Sequence, residues 1–139
     1  MTVSASIRRL VTQRAENRCE YCRLSQTGQE ALFHVDHILP EMDGGLTVME
    51  NLALACVSCS LRKGARQLAL DPQTGRLAAL FHPRKQRWLA HFRWQGFRVV
   101  GISATGRASV DALKLNRVVM LAIRSEEAFF GRFPPPDRE

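Results

Sequence analysis

The sequence predicts an α+β protein built around a pair of strands and a helix that a metal ion closes. Three observations predict it. All four cysteines fall in two Cys-x-x-Cys pairs, Cys19/Cys22 and Cys56/Cys59. Between the pairs, apolar and polar residues alternate with period two, and towards both ends of the chain apolar residues recur at helical spacing. Tetrahedral Zn²⁺ takes four thiolates, and a Cys-x-x-Cys knuckle turns two of them onto one ion. With no further cysteine and no secretory leader in the sequence, a zinc site in a cytoplasmic protein is expected over two disulfides. Residues 23–55, 33 in all, separate the pairs. That is more than a zinc ribbon needs, so further structure is expected inside the closed loop.

The elements follow in order. Val3, Ile7, Leu10, Val11 and Ala15 make one stripe, which predicts a helix over 3–16 capped by Ser4 or Ser6. Its Arg8, Arg9 and Arg14 lie off that stripe, on either a solvated or a phosphate-contacting face. Residues 25–30 read as a turn. Phe33 and Val35 alternate with polar neighbours as in a half-buried strand over 31–37, which Pro40 stops. Residues 41–45 supply a Gly-rich hairpin connection, 51–55 a returning strand, and 58–67 a helix with Ser58 or Ser60 near its start and Gly64 as an interruption. Free N–H groups at such a helix start favour a phosphate, and Arg62, Lys63 and Arg66 add positive charge on it.

Beyond the helix, 71–75 is a turn, 77–81 a short strand and 91–102 a hairpin around Gln95-Gly96. Two helices are expected at 107–115 and 117–130, capped by Thr105 or Ser103 and by Asn116. Val118 to Ile123 is too broadly apolar for a solvent-facing helix, so it is expected to pack on the core or on a second copy of the chain as a homodimer. Residues 134–139 read as a loose extended tail. At 139 residues one domain is expected, with its core at 19–66, an extension at 67–131 and a tail at 132–139. No apolar run approaches membrane-spanning length, so no membrane partner is expected.

The chemistry-bearing residues lie at the end of the first strand. Asp36 offers a hard carboxylate suited to Mg²⁺, and the neutral His37 imidazole can take a proton from water. Neighbours on a strand point to opposite faces, so both serve one site only if the strand bends or ends there, as Pro40 allows. His34 shares a face with Asp36 and is the alternative base. His82 and His91 have no neighbouring ligand and are expected in structural or phosphate-contacting roles.

Cys19-x-x-Cys22, Val35-Asp36-His37-Ile38-x-Pro40, Gly44-Gly45, Asn51-Leu52, Cys56-x-x-Cys59 and Lys63 together resemble the HNH endonucleases of the zinc-stapled ββα-metal fold. The resemblance covers Cys19 to Gly64. It continues weakly in the Pro83–Phe92 and Gly106–Val110 segments. It implies a structural zinc on Cys19, Cys22, Cys56 and Cys59, a catalytic Mg²⁺ or Mn²⁺ held by Asp36, His37 as general base and Asn51 bracing the loop that bears it. It also implies a second metal ligand at position 60, where the family has Asn or His and this chain has Ser60. The fold it implies is a ββα-metal core with an N-terminal helix and a C-terminal hairpin plus helices.

The formal net charge is +7, and 17 of the 20 basic residues are Arg. Guanidinium forks grip phosphate bidentately, which points to DNA as the partner. Arg62, Lys63, Arg66, Arg84 and Arg87 are the expected nucleic-acid contacts. Arg84, Arg87, Arg93 and Arg98 interleave with Trp88, Trp94 and Phe97, of which the aromatics are expected under the hairpin and the arginines on its wet side. The function expected is a DNA endonuclease, slowed by Ser60. A catalytically impaired HNH fold serving as a zinc-stabilised DNA-binding or protein-interaction module is the alternative.

Overall fold

The computed structural model describes residues 3–137. It is a mixed α/β chain whose contacts divide it into two compact units, residues 1–65 and 66–139. Among the described residues no helix is long and apolar enough to cross a membrane.

In the first unit, helix α1 (Ala5–Arg14) starts where Ser4 Oγ accepts from the Ile7 amide at 3.2 Å, a cap contributing about 1 kcal/mol. Val11 is its fully buried anchor. Glu16 and Asn17, both with positive φ, turn the chain out of the helix. Two of its arginines tie it down: Arg8 Nη1 donates to Phe33 O and Arg14 Nη1 to Met49 O, both at 2.8 Å.

Strands β1 (His34–His37) and β2 (Leu52–Ala55) pair antiparallel, His34 opposite Ala55 and His37 opposite Leu52. The far edge of β2 is covered by two residues: Arg14 Nη2 donates to Leu52 O, and Glu20 pairs with Leu54. Glu20 N donates to Leu54 O at 2.8 Å, and Leu54 N donates to Glu20 Oε2 at 2.9 Å. That edge cover lets β2 be buried along its length. The connection expected at 41–45 is longer than a tight turn and holds two 3₁₀ turns, Glu41–Asp43 and Met49–Asn51. Gly44 takes a left-handed φ of 92°, and a Cβ on Gly45 would stand 1.8 Å from Leu39 O. Both positions therefore require glycine.

Helix α2 (Val57–Lys63) follows β2 directly and packs on both strands. It ends at Lys63, short of the expected residue 67, because Gly64 leaves helical space at φ 53°. Arg66 consequently lies off the helix.

The second unit holds two hairpins and two helices. Strand β3 (Leu68–Leu70) pairs with β4 (Leu77–Ala79). The former was not expected from sequence, and the latter is shorter than the expected 77–81. Asp71 organises their turn: Oδ1 accepts from Gln73 N and Oδ2 from the Thr74 hydroxyl, while Arg107 grips both oxygens at 3.0 and 2.8 Å. Strands β5 (Phe92–Gln95) and β6 (Arg98–Gly101) form the expected hairpin, with Gly96 at φ 58° in its turn.

Helix α3 (Ala104–Ala112) is capped by Ser103, whose hydroxyl accepts from Gly106 N. It starts before the expected residue 107, pressed so close to the hairpin that a Cβ on Gly106 would meet His91 O at 2.0 Å. Helix α4 (Val118–Phe129) has no side-chain cap. The amide of Asn116, expected to cap it, instead accepts from Val99 N and donates to Val99 O, each at 2.8 Å.

The core of this unit is aromatic. Trp88 lies 4.9 Å from Phe92 and 5.2 Å from Trp94, and Phe81 5.3 Å from Phe92 by ring centroids. The expectation that the aromatics are structural holds for Trp88, which is buried, and for the half-buried Trp94 that packs on it, whereas Phe97 is 37% exposed. Two residues of the expected tail are packed. Phe133 packs on Trp94 and Phe97, and Pro135 is buried. Residues 138 and 139 of the expected tail lie outside the described residues.

Candidate functional site

Each cysteine knuckle is a tight turn fixed by its own sulfur. Cys22 N donates to Cys19 Sγ and Cys59 N to Cys56 Sγ, both at 3.4 Å. Because Cys56 is also the N-cap of α2, the second knuckle and the helix start are one structure. The four sulfurs are buried and lie within 4.8 Å of one another, with Cys22 and Cys56 sulfurs 3.7 Å apart. A tetrahedron with zinc–sulfur bonds of about 2.3 Å has an edge of about 3.8 Å, so the cluster has the size for the ion. Its electrostatics agree. Hydrogen bonding with Cys19 first of all pushes the Cys22 and Cys59 thiols well up and draws Cys56 far down. Four adjacent sulfurs thus compete for protons, and a dication favours all four as thiolates. These cysteines could hold a zinc ion.

The face of β1 that meets α2 carries His34 and Asp36, opposite the small Ala55 and Ala53 of β2. Two contacts join strand and helix there. Ser60 Oγ lies 2.9 Å from His34 Nδ1, and Lys63 Nζ lies 3.2 Å from Asp36 Oδ2. Residues 60 and 63 are almost one helical turn apart, and 34 and 36 one strand repeat apart, so the spacings match.

The Asp36 side chain is 9% exposed and that of Lys63 3%. The Tyr21 hydroxyl donates to the same Oδ2 at 2.8 Å. Burial pushes the Asp36 carboxyl up, opposed by Lys63 and the Tyr21 bond. Burial and then Asp36 raise Tyr21 well above its ordinary value, keeping it a proton donor. Both bonds fall on Oδ2, which leaves Oδ1 as the oxygen for any further ligand.

His37 turns the other way, as strand alternation requires. Its Nε2 lies 2.9 Å from Thr47 Oγ1 and 3.9 Å from Glu41 Oε1 in the connecting loop. Its carbonyl accepts from Lys63 Nζ at 3.2 Å, so one ammonium bridges Asp36 and the His37 backbone. Asn51 holds that loop. Its Oδ1 accepts from Leu39 N, and its Nδ2 donates to Leu39 O at 3.0 Å and Leu46 O at 2.9 Å.

The structure therefore gathers His34, Asp36, Ser60 and Lys63 between β1 and α2, and places His37 with Thr47 and Asn51 at the loop. Ser60 contacts His34 and makes no hydrogen bond to Asp36. Lys63, expected as a phosphate contact, is corrected: with its amine buried between Asp36 and the His37 carbonyl it has no surface role. Arg62 and Arg87 are exposed and Arg84 half-buried. Arg66 is exposed and donates to Ala112 O. Sequence reading missed Tyr21 and Thr47, whose hydroxyls are ordinary in composition and become informative only through the atoms they touch. The Ser60–His34 contact was within reach, since each shares a face with a residue of the Lys63–Asp36 pair.

Residues 19–66 match the model of the HNH endonuclease family. Searches among curated proteins and among solved structures gave no match.

Proposed function

We propose, from the HNH endonuclease match over residues 19–66, that this chain is a metal-dependent endonuclease hydrolysing phosphodiester bonds of DNA on a ββα-metal core. The observation that carries the reading is the placement of Asp36 and His37 at the end of β1, joined by Lys63, with Tyr21 of the first cysteine knuckle donating to Asp36. Zinc on Cys19, Cys22, Cys56 and Cys59 is structural in this reading, and Asp36 holds the catalytic ion. Mg²⁺ or Mn²⁺ bound there supplies charge stabilisation to the phosphate and the leaving oxygen.

The chain's own groups do the rest. With its Nε2–H donated to Thr47 Oγ1, His37 keeps a lone pair on Nδ1 and takes the proton of the attacking water at that atom. Asn51 fixes the loop carrying Thr47, and so fixes the ring. Lys63 neutralises Oδ2 and holds the strand end through the His37 carbonyl. Arg62, Arg66, Arg84 and Arg87 supply sequence-tolerant phosphate contacts, each lowering the log–log salt slope by about 0.9 on duplex DNA.

Plasmid cleavage by zinc-replete protein with Mg²⁺ or Mn²⁺ tests the reading. His37→Ala should cut the rate about 10²–10⁴-fold with zinc content unchanged. A second reading, an impaired HNH fold that binds DNA without cutting it, is favoured by one observation: the Ser60 hydroxyl faces His34 instead of Asp36. Salt-dependent DNA binding by a wild type inactive with either metal would select it.

A further inference from the structure

Position 60 is where a second ligand for the cation is expected, and its hydroxyl is engaged by a histidine. From that contact we propose that His34 is the second protein ligand of the divalent cation, binding through Nε2, and that Ser60 is the positioning residue that orients it. This rests on the endonuclease reading and names a ligand that the reading lacks.

Three features carry it. His34 and Asp36 stand one strand repeat apart on the same face, about 6.4–6.8 Å. Metal–oxygen and metal–nitrogen bonds of about 2.1 Å each, added to a carboxylate and an imidazole, span that distance. Next, Ser60 Oγ at 2.9 Å occupies Nδ1. A hydroxyl accepting the Nδ1–H fixes the tautomer whose lone pair sits on Nε2, the arrangement in which a histidine ligand donates its other ring N–H to an outer partner. Nε2 itself bonds to nothing among the described residues. Finally, Oδ2 of Asp36 is taken up by Lys63 and Tyr21, so the carboxylate offers one oxygen beside an ammonium, a weak holder of a hard dication. A nitrogen ligand offsets that weakness most for metals late in the first-row series.

The site should therefore rank Mg²⁺ below Mn²⁺, Co²⁺ and Ni²⁺, in rising order. The direct readout is pulsed electron paramagnetic resonance of Mn²⁺ on the zinc-loaded full chain, without DNA, where an imidazole ligand imprints ¹⁴N modulation on the Mn²⁺ signal. That modulation is expected in wild type and in His37→Ala, and absent in His34→Gln. Ser60→Ala should weaken Mn²⁺ binding about 10–100-fold, as losing an outer partner of a ligand does. His34→Gln should flatten the metal ranking, read by titration calorimetry, with zinc content and circular dichroism checking that the variant folds. A second substitution, His34→Asn, guards against a fold-specific failure of the first.

Mn²⁺ bound in an Asp36-dependent way with no ¹⁴N modulation, or with modulation that survives His34→Gln, overturns the proposal and leaves the endonuclease reading standing. No Mn²⁺ binding by the wild type overturns both.

Discussion

The two units of this chain are stabilised by different means. Residues 3–65 contain short elements held by polar side chains bonded to backbone, namely Arg8, Arg14, Glu20 and Asn51, around four buried sulfurs. Residues 66–137 contain the stacked rings of Phe81, Trp88, Phe92, Trp94 and Phe133, with Asp71–Arg107 locking a turn. A 65-residue unit with few large apolar side chains buries too little surface to stand on hydrophobic burial alone, and a metal ion on its four cysteines would compensate. The second unit has rings enough to need none. The optical reporters divide along the same line: the one tyrosine, Tyr21, is in the first unit and both tryptophans are in the second.

The largest effect should come from removing zinc. Structural zinc contributes on the order of 10–16 kcal/mol in small zinc modules, so a chelator should expose Tyr21 and melt the first unit. Tryptophan emission should stay native-like. A joint loss of both signals would show that the aromatic unit also depends on the ion and would erase the contrast.

Trp88→Ala should do the reverse, costing about 3–5 kcal/mol of burial in the second unit. Its denaturation midpoint, followed by Trp94 fluorescence, should fall while zinc stoichiometry stays at one. Asn51→Ala removes three hydrogen bonds to loop backbone, at about 1 kcal/mol each. A drop of a few kcal/mol in the stability of the first unit is expected. Cleavage should fall further than stability does, because Thr47 loses its placement against His37. Equal activity in that variant would remove the loop from the account of the base.

The smallest effect is one of pH and belongs to the second unit. Hydrogen bonds from Arg107 hold the Asp71 carboxyl well below the usual carboxylate range. A folded value below the unfolded one, about 3.9, means that the ionised form stabilises. The contribution is whole above that value and is lost as pH falls below it towards the folded value. Asp71→Asn should therefore narrow the gap between denaturation midpoints at neutral pH and near pH 3. An unchanged gap would place the acid sensitivity elsewhere.

Much of the metal cluster was legible in the sequence because ligand spacing is a local property: two knuckles and no spare cysteine leave little choice. The two strands of the first unit were legible from alternation, as was the hairpin of β5 and β6. Strand β3 was not. Leu68, Ala69 and Leu70 are good helix formers continuing an expected helix, and only the backbone turn at Gly64 separates them from it. Lys63 was misread because charge says nothing of partner, and its partner lies 27 residues earlier. Asn116 was misread for a related reason. A residue that favours caps also suits any place where a backbone needs both a donor and an acceptor.

That last substitution of partners bears on how the molecule behaves in a crowded solution. A two-stranded ribbon has open flanks on which another extended chain can add itself, the first step of ordered aggregation. Val99 on β6 is covered on its outer flank by the carboxamide of Asn116, much as Leu54 on β2 is by Glu20. In each case a single residue presents the hydrogen-bonding pattern of a neighbouring strand, Asn116 with its carboxamide alone and Glu20 with its backbone N–H and its carboxylate, without offering a further edge to extend. Asn116→Leu would keep the bulk and uncover that flank, so colloidal stability on storage should suffer before the fold itself does.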